Sequence, residues 1–225
     1  MNTNVDVDAM RKDAVEIFQK GFACSESVIY AIKKGFDLDL SDDAIAMSSG
    51  FPWGLGDGGC ICGALAGATM CIGYFFGRRT PGDEAFLKCQ RLTKEFHDAF
   101  KEHCGATCCR VLTRGKEKNS PERKAQCISF VDLQLRKLAE IILRRIIRLL
   151  LAVKKAAAEY RKRNQEGKGY GKTYYSSSSK GRNTGFKSRK IMYILRELFI
   201  PPVMLLIKEW MKCFQKEKEL PLDIK

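Results

Sequence analysis

The chain has 225 residues, 45% of them hydrophobic, and a formal net charge of +14. That apolar share excludes a chain with no core over any part of its length. The charge is uneven: residues 1–135 hold 17 basic and 18 acidic side chains, whereas residues 136–225 hold 23 and 8. A near-neutral body therefore precedes a strongly basic extension, and such an extension points to an anionic partner, nucleic acid or an acidic membrane surface.

Residues 9–34 place Ala14, Ile17, Phe18, Val28, Ile29 and Ile32 at helical spacing, with Gly21 as a break or kink just before Cys24. Ser41 followed by Asp42 and Asp43 marks the start of a further helix, which Pro52 and the glycines after it stop. Cys62 to Phe76 reads as an apolar helix rich in small residues. Thr80-Pro81 is an N-cap signal with proline at the first helical position and predicts a helix over 81–103. A short helix is expected around 108–112. Ser120-Pro121 repeats the cap signal and opens a helix running to about residue 165. No segment alternates as a strand does. The predicted fold class is all-α, a helical bundle with a long C-terminal helix and a basic helical extension. The predicted organisation is a cysteine-rich helical domain over 1–143, a continuation of the long amphipathic basic helix over 144–165, a flexible basic Gly/Ser linker over 166–190, and short amphipathic helical segments over 191–225.

Ten cysteines stand at 24, 60, 62, 71, 89, 104, 108, 109, 127 and 213. The N-terminus, MNTNVDVDAMRKD, carries early acids and no apolar core, so no signal peptide is expected and the predicted location is cytoplasmic. Thiols stay reduced there, and clustered cysteines then point to metal or redox chemistry. About half of them, Cys71 and Cys89 first, are expected as small core residues. Gly54-x-Gly56-x-x-Gly59 fits the dinucleotide fingerprint as a string, but no strand precedes it. Gly63 and Gly67 are four apart on one helix face and let another backbone approach. The glycine loop puts Cys62 at a helix N-terminus, where unpaired N–H groups and the helix dipole are expected to lower its pKa.

Four elements then stand in order: Gly21-Phe22-Ala23-Cys24-Ser25-Glu26-Ser27-Val28; Cys62-Gly63-Ala64-Leu65-Ala66-Gly67; Cys108-Cys109-Arg110-Val111-Leu112; and Cys127 before Phe130-Val131. Over about residues 10–143 the chain resembles the family named for its C-GCAxxG-C-C cysteine pattern, whose members are described as redox-active. The resemblance implies a helical fold and four site residues, Cys24, Cys62, Cys109 and Cys127. It implies no particular reaction. Cys60 and Cys108 sit beside matched cysteines, which leaves open which member of each neighbouring set is used.

Two chemistries suit four cysteines drawn from four segments of a bundle. Paired thiols can cycle between dithiol and disulfide, with Cys62 as the attacking thiolate, which would make the protein an oxidoreductase with a redox partner. Alternatively, Cys24, Cys62, Cys109 and Cys127 can hold zinc or an iron–sulfur cluster. No CxxC or CxxCH occurs, which counts against thioredoxin-type, zinc-ribbon and c-type haem readings. His97 and His103 are six apart and share no helical face; solvated histidines are expected, with His103 beside Cys104 as the metal alternative. Nothing resembles a Ser-His-Asp triad or a paired-carboxylate site. Phe51 and Trp53 are expected to anchor the loop before the glycines, with a pocket over Cys62 as the alternative.

In residues 136–163, Lys137, Arg144, Arg148 and Lys155 form one stripe, and Ile142, Leu143, Ile146, Ile147, Leu149 and Leu150 cover the remaining face. The arginines interrupt the ~18 apolar residues a membrane span needs. Homo-oligomerisation through this helix is expected first, with peripheral membrane contact as the alternative. Tyr170, Tyr174, Tyr175 and Phe186 interleave with cations in the linker, a pattern that can stack on single-stranded nucleic acid.

Overall fold

A computed structural model describes residues 2, 4–82 and 84–165. The linker and helical segments expected over 166–225 lie outside the described residues. The rest is all-α, with no strand among the described residues. Its helices are α1 Val7–Gln19, α2 Cys24–Gly35, α3 Asp42–Ala46, α4 Pro52–Leu55, α5 Gly63–Phe76, α6 Ala85–Cys104, α7 Cys109–Leu112 and α8 Pro121–Gln165.

The local signals explain most boundaries. Gly21 takes φ +106° and splits the first apolar run into α1 and α2. Ser41 is the N-cap of α3. At Ser120 the hydroxyl accepts the N–H of Arg123 at 3.2 Å, which caps α8. Thr80-Pro81 does not start a helix: α6 begins at Ala85, with Glu84 as its N-cap. Pro81, Gly82 and Glu84 lie in turns, so Pro81 belongs to the connection and not to the first helical turn.

Helix α5 is the centre of the bundle. Ala64, Leu65, Ala68, Ile72 and Phe75 are all buried, and it packs against α2, α6 and α8. A Cβ built at Gly67 would stand 2.5 Å from the Ser25 carbonyl oxygen and 2.9 Å from the Ser25 Cα. The backbones of α5 and α2 therefore touch, as the small-residue face predicts. Phe36 meets Phe75 edge to face at 5.3 Å between ring centres. Helix α8 lays Val131, Leu135, Leu138, Ile142 and Ile146 on one buried face. Arg11 of α1 grips Asp132 of α8 in a fork, Nε to Oδ1 at 2.7 Å and Nη2 to Oδ2 at 2.6 Å. Arg144 pairs with Glu95 and ties α8 to α6.

Among the described residues, burial on α8 ends at Ile146. Ile147 and Leu151 are more than half exposed, so the apolar face expected over 142–150 is only partly covered by the described residues. Among the described residues no helix is long and apolar enough to cross a membrane.

Candidate functional site

Each of the four matched cysteines stands at or near the start of a helix. Cys24 is the first residue of α2, and Glu26 stiffens that start by accepting the Ala23 N–H at 2.7 Å. Cys62 is the N-cap of α5, and its own N–H donates to the Thr107 carbonyl at 2.8 Å. Cys109 opens α7, and Cys127 lies in the second turn of α8. The chain through α4 and on towards α5 is wound tightly: Trp53, Leu55 and Asp57 all take left-handed φ values of 54–79°. Such conformations are costly for non-glycine residues and gather at functional sites. Among the described residues no strand precedes this loop, so the structural condition for the dinucleotide fingerprint is not met there.

Cys24, Cys62, Cys109 and Cys127 line one cavity of about 420 Å³. Phe18, Trp53 and Phe130 give it apolar walls, and Arg123 and Lys124 bring positive charge. Trp53 was expected first as a loop anchor; it is 41% exposed and lines the cavity with Cys62, so the alternative of a pocket over Cys62 holds for it.

The motif glycine makes room for one of these sulfurs. A Cβ at Gly63 would stand 2.5 Å from Cys24 Sγ and 3.2 Å from the Phe51 carbonyl oxygen. Only glycine leaves the Cys24 sulfur this room beside Cys62. Arg123 Nη2 lies 3.9 Å from Cys109 Sγ, a charged donor facing a buried thiol.

Burial sets the protonation of these thiols. Cys24 is raised well above its ordinary value, chiefly by burial and further by the neighbouring Cys62, Cys127 and Cys109. Burial also pushes Cys62 up to about 12, against the pull of the Leu65 and Ala64 N–H groups. Cys127 is raised by burial and by Cys109, with Arg123 and Lys116 opposing. The expectation of a lowered pKa at Cys62 is therefore corrected. The residue does sit at a helix N-terminus, but desolvation of a cysteine that is only 4% exposed outweighs two amide dipoles. All three thiols are protonated near neutral pH.

His97 is half-buried and bonded to Asp98, Nδ1 to Oδ1 at 3.0 Å, and His103 is exposed at the end of α6. Neither lines the cavity. Among the described residues no group of three or more His, Cys, Asp or Glu is arranged to hold a metal ion. Cys71 is buried as expected, whereas Cys89 is only half-buried. Sequence reasoning missed Arg123. The available signal was its place four residues before Cys127 on a predicted helix, which puts both on one face.

The family model described as "Putative redox-active protein (C_GCAxxG_C_C)" matches residues 22–141. An uncharacterized protein of Archaeoglobus fulgidus is 22% identical over 135 residues, which cover 56% of this chain and 89% of that protein. No solved structure matches the chain. The family's description supports a redox-related role. With four cysteine elements in the family's order and a match over more than half its length, the chain belongs to the C-GCAxxG-C-C family.

Proposed function

We propose that this protein is a thiol redox protein in which Cys24, Cys62, Cys109 and Cys127 exchange between dithiol and disulfide inside the cavity. The observation that carries this reading is the lining of one cavity by all four cysteines, with Cys24 raised by burial and by the neighbouring Cys62, Cys127 and Cys109. In the oxidising direction, one thiol loses its proton and attacks a sulfur of a disulfide substrate. The substrate's S–S bond breaks and one of its thiolates leaves. A second cavity cysteine then resolves the mixed disulfide and releases the other thiolate. Two protein thiols lose two electrons and two protons, and the substrate disulfide becomes two thiols.

The surroundings suit this chemistry. Apolar walls keep bulk water from the sulfurs, which holds Cys24, Cys62 and Cys127 protonated and unreactive at rest. The Arg123 guanidinium beside Cys109 supplies a positive charge where a thiolate develops. The apolar rings and two cations of the lining fit a small substrate with an apolar body and an anionic group.

The test is a metal analysis and ultraviolet–visible spectrum on anaerobically purified protein, joined to a thiol count before and after oxidation with diamide. The protein used is the Cys60→Ser/Cys108→Ser double variant, and oxidised pairs are mapped to peptides so that the cavity thiols are read apart from Cys89, Cys104 and Cys213. The expected result is no stoichiometric metal and a loss of thiols in pairs that a phosphine reductant restores. Stoichiometric zinc or iron with masked thiols would mean that the four cysteines are ligands, and thiol exchange would fall.

A further inference from the structure

Cys60 and Cys108 belong to neither the four matched cysteines nor the cavity lining. They are 48 positions apart in sequence, yet their sulfurs lie 2.7 Å apart. Cys60 is exposed and Cys108 half-buried, so reagents in solvent reach the pair. A shift of less than ~1 Å would bring the sulfurs to the ~2.05 Å of a disulfide.

This apposition is held from both sides. The Cys62 N–H donates to the Thr107 carbonyl at 2.8 Å, and the Arg110 N–H donates to the Gly59 carbonyl at 3.0 Å. Arg110 Nη2 adds a bond to the Gly58 carbonyl at 2.6 Å. The segments 58–62 and 107–110 are thus stitched together on either side of the two sulfurs. The Cys108 carbonyl accepts the Val111 and Leu112 N–H groups, which fixes Cys108 to the start of α7. Cys60 is raised above its ordinary value, first because Cys108 shares its proton, while the Arg110 guanidinium opposes.

We propose that Cys60 and Cys108 form a second, surface redox pair that closes reversibly to a disulfide by exchange with small-molecule disulfides. One of the two thiols, as its thiolate, attacks a sulfur of the external disulfide, whose S–S bond breaks and releases one thiolate. The facing cysteine gives its proton to solvent and attacks the protein sulfur of the mixed disulfide. The Cys60–Cys108 bond forms and the second small thiolate leaves. The protein loses two electrons and two protons, and the small disulfide is reduced to two thiols. The new bond joins the loop that carries Trp53 and Cys62 to the helix that starts with Cys109, so it fastens two walls of the cavity together.

Oxidised glutathione is the probe. The reduced full chain is incubated with it, blocked with N-ethylmaleimide and digested, and linked peptides are sequenced by mass spectrometry. The expected product links Cys60 to Cys108, and a phosphine reductant removes it. Cys60→Ser and Cys108→Ser each abolish the link and leave glutathione trapped on the remaining partner. The wild-type map alone decides against the proposal if both residues are recovered as maleimide adducts, or if Cys60 links to Cys62 and Cys108 to Cys109. Neither sulfur lines the cavity, so this map does not depend on whether the cavity cysteines exchange or bind metal.

Discussion

Gly63 lies directly against the sulfur of Cys24, with 2.5 Å between Cys24 Sγ and the place a Cβ would take. The glycine of the motif is thus a receptacle for the cysteine of another helix, and the two motif elements are one device. Gly67, one turn further on, meets the backbone of Ser25 in the same way.

Gly63→Ala is expected to displace Cys24 and to cost about 1–3 kcal/mol, the usual range for overpacking a close-packed interior. Gly67→Ala is expected to cost at least as much, because the atom it meets is main chain and cannot rotate away. Urea unfolding measures both. Only Gly63→Ala should also change the alkylation rate of Cys24; equal labelling in wild type and Gly63→Ala would mean that the contact does not position the sulfur.

Stability should fall on the alkaline side. Cys24, Cys62, Cys71 and Cys127 are all raised above the ordinary thiol value of 9.0 by burial, Cys62 and Cys71 to about 12. The folded state favours the neutral thiols. Their contribution is complete below about pH 9, where unfolded thiols are still protonated, and is lost as pH rises from 9 towards 12. Unfolding midpoints under a phosphine reductant should be level to pH 9 and decline above it. Cys71→Ala should remove part of that slope. A midpoint that holds or rises between pH 9 and 11 would contradict the burial argument.

Arg123→Gln removes the guanidinium that faces Cys109 and that draws the Cys127 thiol downwards. The Cys127 thiol should then ionise less readily. Its alkylation at fixed pH should slow by up to about fivefold, the equivalent of ~1 kcal/mol for a partly exposed charge interaction. Cys71 lies apart from Arg123 and serves as the internal reference. Unchanged or faster labelling of Cys127 would remove Arg123 from the site.

Gln134 on α8 is 1% exposed, and among the described residues neither its Nε2 nor its Oε1 has a hydrogen-bond partner. A buried amide left unpaired costs about 1–3 kcal/mol. Gln134→Met keeps the length and removes the polar atoms, so it should raise stability by roughly 1–2 kcal/mol in urea unfolding. A loss of stability would show that the amide is satisfied in solution.

The sequence by itself determined what is local. Gly21 ends one helix and frees the start of the next at Cys24; Ser120 caps α8; the small residues at 63 and 67 make a face that another helix can touch. Each signal acts through backbone conformation or spacing within a few residues, which is why helix class and the four cysteine elements were legible. Thr80-Pro81 failed because a cap signal states only where a helix is permitted to begin. The tertiary structure alone decided that Cys24, Cys62, Cys109 and Cys127 share a cavity, that Trp53 and Arg123 join them, and that Cys60 faces Cys108. It also reversed the expected direction at Cys62. A helix N-terminus is visible in sequence and favours a thiolate, but burial is a property of the assembled bundle and disfavours it more strongly.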